Sequence, residues 1–147
     1  VYYCAVNTRI KYDPGDKLAK NSFLFDQKKI DFYNWSNWYY DNTIKACETI
    51  TPYLRSLGIQ RSDKVISIPD RSLNISLYLM DQKGNTNLFY EPEEGEKNIK
   101  EFIKNGSKYL IINDKSLLDQ DYIKPFLKDK IGEYENIEIY DLRNIVF

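Results

Sequence analysis

The hydrophobic positions between residues 64 and 141 change period in an ordered way. Lys64-Val65-Ile66-Ser67-Ile68-Pro69 reads as a short buried strand. Asp70 or Ser72 can cap the apolar helix predicted to follow through Leu73, Ile75, Leu77, Tyr78, Leu79 and Met80 to Gly84. Thr86-Asn87-Leu88-Phe89-Tyr90 predicts a second strand, and the acidic loop 91–94 leads to a helix with Ile99, Phe102 and Ile103 inward and Gly106 at its end. The same alternation then recurs. Lys108-Tyr109-Leu110-Ile111-Ile112-Asn113 predicts a third strand, a helix carrying Tyr122, Ile123, Phe126, Leu127 and Ile131 runs toward Gly132, and Ile137-Glu138-Ile139-Tyr140 closes the series. Strands alternating with helices of about ten residues imply parallel neighbours, because a tight turn cannot join parallel strands. The expected fold class is therefore α/β: a small three-layer Rossmann-like sandwich with a mainly parallel sheet of about four strands.

Upstream, the alternation Val6-Asn7-Thr8-Arg9-Ile10-Lys11-Tyr12 suits a half-exposed strand, and Asp13-Pro14-Gly15-Asp16 a turn. Residues 17–38 carry Phe23, Phe25, Phe32, Tyr33, Trp35 and Trp38 without a single period, and are expected to wrap the core irregularly. Tyr40, Ile44, Cys47, Ile50, Leu54 and Leu57 recur every three or four residues, which predicts a helix over 38–57. Pro52 either kinks it or lies in the first turn of a restarted helix capped by Thr51, and Gly58 terminates it. The division expected is an N-terminal strand and aromatic wrapping segment over 1–35 and the α/β domain over 36–147, forming one domain overall.

A chain of 147 residues suffices for one such core, since that length buries roughly 70% of its unfolded surface. With 42% hydrophobic and 29% charged residues the composition is that of a folded protein. A net charge of −1, its signs interspersed, gives no field to attract nucleic acid. No run approaches the roughly 20 apolar residues of a spanning helix, and no signal-peptide pattern opens the chain. The abrupt start at Val1 reads as an excised fragment. Cys4 and Cys47 are too few for a zinc framework and are expected as two buried thiols rather than a disulfide.

The chain contains no histidine. That excludes Ser-His-Asp and Cys-His nucleophile systems and histidine-based zinc sites. The six glycines are isolated, so neither a dinucleotide fingerprint nor a phosphate-binding loop can be built from them, and no cofactor or metal is expected. In open α/β sheets ligands bind at the carboxyl ends of strands. There, Asp70, Ser72 and Asn74 could present oxygens and amides to a sugar or phosphate, with Asp114 in the equivalent place after the third strand; helix capping and turn formation explain the same residues. Asp119-Gln120-Asp121 superficially matches a metal-holding Asp-x-Asp pair, but capping accounts for it, and the acidic loop of Glu91, Glu93, Glu94 and Glu96 lacks calcium-ligand spacing. Trp35, Trp38, Tyr39 and Tyr40 could stack on a sugar or sit at a membrane interface, although core or interdomain packing is the expected use.

Tyr53-Leu54-Arg55-Ser56-Leu57-Gly58-Ile59, then 63–70, then 74–84 resemble the C-terminal extramembrane domain of polytopic bacterial glycosyltransferases of the protein-mannosyltransferase-like class. The likeness covers about 53–90 well and 96–141 in layout; Asn85-Thr86 stands where the family typically has Trp-Thr, so no role is carried over for that aromatic. The resemblance implies an accessory or acceptor-binding periplasmic domain of an enzyme that takes a sugar from a polyprenyl-phosphate donor. Its partner would be the membrane-embedded part of the same polypeptide, with Val1 to Val6 as the exit from the last membrane helix. The family's catalytic acids lie in a loop this chain does not contain, so no catalytic residue is assigned. The segments 54–59 and 63–65, with Lys83-Gly84 and 108–112, are also similar to the N-terminal part of adenylate-forming ligases, whose Ser/Thr/Gly-rich phosphate loop is missing here. A stand-alone small-molecule-binding Rossmann-like domain is the remaining alternative.

Overall fold

A computed structural model describes residues 2–13, 15–87 and 94–145, with Leu18 described by its backbone alone. The chain divides into two compact units, Val1–Tyr40 and Asp41–Phe147.

The first unit is helical: α1 (Tyr2–Tyr12), α2 (Lys17–Lys20) and α3 (Gln27–Tyr39). Val6 and Ile10, four residues apart, lie on one face of α1 and are buried with Ala19 and Ile30, against which Leu24, Phe25 and Tyr33 pack. Asp16 caps α2 by accepting from the Ala19 amide (2.9 Å), and Asp26 caps α3 by accepting from the Lys28 amide (3.0 Å). The strand expected at 6–12 is thus a helix. A separation of four satisfies the period of a strand and of a helix alike, so the short alternating run was ambiguous. The irregular segment expected over 17–38 is corrected as well. Its helix α3 carries Ile30 and Tyr33 inward and Phe32, Trp35 and Tyr39 on the opposite side, so no single apolar stripe shows in the sequence.

The helix expected over 38–57 is broken into pieces. After α3 the backbone widens into a π turn (Tyr40–Ile44), tightens into a 3₁₀ turn (Lys45–Glu48) and restarts as α4 (Thr51–Ser56). Pro52 lies in the first turn of α4, with Ile50 rather than Thr51 in the cap position, and Gly58 closes it at φ 82°.

The second unit is built on one mixed five-stranded sheet: β1 (Lys64–Ile68), β2 (Lys83–Thr86), β3 (Ser107–Ile112), β4 (Lys130–Tyr134) and β5 (Ile137–Asp141), in the order β2-β1-β3-β5-β4. β1 pairs parallel with β2 and β3; β5 pairs antiparallel with β3 and β4. Two short helices complete the parallel part, α5 (Ile75–Leu79) between β1 and β2 and α6 (Gly95–Lys104) between β2 and β3. The fold class is α/β, but the sheet has five strands rather than about four and only its β2-β1-β3 portion is parallel.

β4 comes from a region read as helix, while β5 covers the strand expected at 137–140 but pairs antiparallel. Residues 115–119 and 124–126 are 3₁₀ turns, Pro125 lies in the first turn of the second, and Gly132 sits inside β4, where a Cβ would meet Leu57 Cδ1 at 2.7 Å. β4 and β5 are joined by Glu135 and Asn136, with Glu135 at φ 53°, and so short a connection forces antiparallel pairing. Gly84 lies within β2 instead of ending α5. A Cβ there would come within 1.8 Å of the Val65 carbonyl oxygen on β1, so only glycine permits this approach. Of the second strand expected at 86–90, residues 88–90 lie outside the described residues.

Alternating side chains of the sheet face two apolar clusters. Val65, Tyr109, Ile111, Ile137 and Ile139 pack with Cys47, Ile50 and Leu54 on one side, where Leu77 and Met80 join them. Ile66, Ile68, Leu110, Ile112 and Tyr140 pack with Ile99, Phe102, Ile123 and Phe126 on the other. This burial on both faces explains why β1 and β3 read as nearly continuous apolar runs.

Candidate functional site at the strand ends

The chain leaves β1 to form β2 on one side and then returns to form β3 on the other. The strand order therefore reverses between β1 and β3, and their carboxyl ends, residues 68–76 and 112–116, frame the position where such sheets open a crevice.

Asp70 organises this place. Its side chain is completely buried. Oδ1 accepts from the Ser72 amide (2.8 Å) and the Ser72 hydroxyl, and Oδ2 from the Ser76 amide (2.9 Å) and hydroxyl (2.5 Å). Its own amide donates to Asn87 Oδ1 at 2.7 Å. Ser72 Oγ accepts from the Ile75 amide at 2.8 Å, which fixes the first turn of α5. Asn74, at φ 65°, presents Oδ1 to the Thr86 hydroxyl (2.9 Å); Asn tolerates this left-handed geometry better than most residues. The capping residues read from the sequence come together here, and the carboxylate is saturated by internal donors.

A second layer lies beneath. Ser67 Oγ donates to Ser76 Oγ (2.8 Å) and accepts from Asn113 Nδ2 (3.0 Å). The Asn113 amide donates to the Ile68 carbonyl (2.7 Å), and its carbonyl accepts from Asn136 Nδ2 (2.8 Å). Asn113 is fully buried, yet its Oδ1 has no hydrogen-bond partner among the described residues. An acceptor left in this condition costs free energy until a donor reaches it, of the order of 1–3 kcal/mol. Asp114, half-buried, caps the following turn by accepting from the Ser116 amide at 2.9 Å.

Asp70, Ser72, Asn74, Asp114 and the network around them therefore belong to one unit of structure. Trp35 and Trp38 belong to α3 of the first unit, where they are 48% and 56% exposed and are not core residues. Sequence reasoning missed Ser67 and Asn113, at the ends of apolar strands, and Ser76, in the first turn of α5; their signal was polarity inside otherwise apolar runs. The apolar helix read through Leu73 to Gly84 spans only Ile75–Leu79, and Leu73, Ile75 and Tyr78 are all exposed, Tyr78 by 84%. A five-residue helix has too little surface to bury every member of an apolar run, and here Ser76, Leu77 and Met80 take the inward positions.

Nucleophile and acid-base chemistry finds little support here. Cys47 is free and buried, and burial, followed by the charges of Asp70 and Glu48, pushes its thiol up to about 12. It is neutral at pH 7. Cys4 is free but exposed, against the expectation of two buried thiols. Asp121 pairs with Lys124 at 2.6 Å, and among the described residues no group of three or more His, Cys, Asp or Glu is placed to hold a metal ion. The groove along α6, lined by Glu96, Lys97, Lys100, Glu101 and Lys104, is a charged surface of one helix with Lys100 paired to Glu96 at 2.6 Å. Among the described residues the strand ends hold one buried acceptor without a partner, Asn113 Oδ1, and the neighbouring loop and α5 carry the exposed Leu73, Ile75 and Tyr78.

A scan against family models, a search of curated proteins and a search of solved structures each return no match for this chain.

Proposed function

We propose that the second unit is an accessory, acceptor-binding domain of a membrane-bound glycosyltransferase that uses a polyprenyl-phosphate-linked sugar, placed on the periplasmic side of a bacterial inner membrane. In this reading β2-β1-β3 with α5 and α6 is a Rossmann-like half-sheet, and the acceptor rests across the carboxyl ends of β1 and β3. The observation that carries a binding role is the buried Asn113 Oδ1 without a partner at the point of strand reversal. A hydroxyl of a sugar or alcohol supplies the missing donor, and Leu73, Ile75 and Tyr78 provide an apolar edge for the rest of the ligand.

A non-catalytic role is supported by how the resembling residues are used. Arg55 donates to the carbonyls of Ile59 (2.9 Å) and Asp81 (2.9 Å) and to Gln82 Oε1 (2.6 Å). Gln82 donates in turn to the carbonyls of Gln60 (2.9 Å) and Asp63 (3.1 Å). Asp63 is held below the ordinary carboxylate range by the Lys108 ammonium at 2.7 Å and then by the Gln60 amide. These side chains, like Asp70, tie elements together.

The test is a titration of the 147-residue chain with a panel of glycans and short-chain polyprenyl phosphates, followed by amide chemical shifts. The reading expects one acceptor class to shift amides in 69–76 and 113–116, with Asn113→Leu weakening it about tenfold or more. Shifts confined elsewhere, or sugar transfer by the purified chain alone, would overturn it. Adenylation of an acid substrate with ATP would instead favour the ligase alternative.

A further inference from the structure

The first unit carries a surface that the strand-end site does not explain. Eight large aromatic side chains are exposed within residues 1–40, whereas the exposed large apolar side chains described in the second unit are Leu73, Ile75 and Tyr78. On α3 they form a continuous row opposite the buried Ile30. Phe32 lies 6.2 Å from Trp35, and Trp35 stacks on Tyr39 at 5.5 Å with 21° between the planes. Lys28 precedes Phe32 by one helical turn on the same side. On α1, Lys11 lies 5.1 Å from the centre of the Tyr12 ring, and Lys29 of α3 lies 5.5 Å from that of Tyr3. The charge is divided in the same sense: six Lys and Arg against four Asp in residues 1–40, and fifteen against eighteen acidic residues in the remainder.

We propose that this aromatic and basic surface of the first unit seats on the interface of an anionic lipid bilayer, with α3 lying in the headgroup plane. Trp and Tyr prefer that layer because an apolar ring meets hydrocarbon while the ring N–H or O–H remains hydrated, and lysines add attraction to anionic headgroups. A glycan platform is less favoured, since Trp35 already stacks on Tyr39 at 5.5 Å and has Phe32 at 6.2 Å, which leaves less of its faces for a sugar. A second copy of the chain would bring one basic surface against another. None of the described helices is long and apolar enough to cross a membrane, so the contact is interfacial. The inference stands on the surface of the first unit, independently of the acceptor reading of the strand ends.

The only two tryptophans of the chain, Trp35 and Trp38, both lie on α3, so intrinsic fluorescence reports this surface. The full chain is titrated with vesicles of phosphatidylglycerol and phosphatidylethanolamine, and separately with phosphatidylcholine alone. The proposal expects a blue shift and protection from an aqueous quencher with the anionic vesicles, and affinity lower by about tenfold for the neutral ones. Phe32→Ser with Tyr39→Ser should weaken vesicle binding about tenfold or more; Lys28→Glu should weaken it less, and serves if the double variant does not fold. Tyr78→Ser, in the second unit, should leave it unchanged. An unaltered spectrum with anionic vesicles, equal loss from Tyr78→Ser, a blue shift produced by soluble glycan, or one that follows protein concentration without lipid would each overturn the proposal.

Discussion

The two units use the same residue types in opposite ways. In the sheet unit, isoleucine, leucine and tyrosine go inward onto both faces of β1, β3 and β5, and polar side chains taken inside with them are engaged by neighbours: Ser67 with Ser76, and Asp70 with Ser72 and Ser76. In the helical unit a small cluster of Val6, Ile10, Ala19 and Ile30 holds three helices, while rings of larger area face outward. The difference teaches that aromatic content alone does not locate a core. Where a second element can cover both sides of an apolar strand, burial organises the fold; where a helix carries apolar residues on opposite sides, one side remains for another use.

The sharpest way to break the contrast is at Gly84. Gly84→Ala puts a methyl group 1.8 Å from the Val65 carbonyl oxygen, so β1 and β2 must part. The expected loss is about 4 kcal/mol or more, read as a lowered denaturant midpoint of the sheet unit. Next, Leu110→Ala removes a fully buried side chain of β3 and should cost about 2–5 kcal/mol. Ile10→Ala, in the smaller cluster, should speed amide exchange in α1–α3 while leaving the protection of β1 and β3 as it is. Coupled losses in both units after either substitution would contradict their separate cores.

A smaller effect is expected at the strand ends. Asp70→Ala withdraws the acceptor from four donors, two amides and two hydroxyls, and should cost about 2–3 kcal/mol while releasing residues 70–76. Unchanged amide shifts in that loop would show that the carboxylate does not hold it.

The gentlest probe is acid. Glu133, bonded by Lys115 (2.5 Å) and Lys130 (2.7 Å), is held down to about 2 by those hydrogen bonds and charges. Asp63, through Lys108, and Asp141, through the Arg143 guanidinium, are also lowered. Carboxylates depressed in the folded state contribute stability above their unfolded values and lose it as pH falls through the folded ones. The sheet unit should therefore weaken from about pH 4.5 downward toward 2. Because Glu133 and its two lysines are largely exposed, raising the salt concentration should flatten their part of the dependence, and the buried Asp141 should respond less. A helical unit that lost its far-UV signal first over this interval would reverse the comparison.

Much of the sheet was legible because β1 and β3 lie buried on both sides and so read as apolar runs bounded by polar residues. α6 was legible for a different reason, its one-sided stripe of Ile99 and Phe102. In the antiparallel half β5 was legible at 137–140, and β4 was not. Ile123 and Phe126, three apart, suit a helix and a 3₁₀ turn equally, and the hairpin at Glu135 and Asn136 lacks the glycine that announces such turns. At the site, Asp70, Ser72, Asn74 and Asp114 could be selected by residue type, since capping chemistry is local. Asn113 could not: its importance comes from Ser67, forty-six positions away, and from an oxygen whose lack of a partner only the packed sheet reveals.

The most direct measurement is amide hydrogen exchange of the whole chain, alone and with the acceptor ligand found by titration. The account predicts slowest exchange in β1, β3 and β5, faster exchange in α1–α3, and added protection on binding confined to residues 69–76 and 113–116. Equal protection of both units in the free chain, or ligand protection centred on α3, would contradict it.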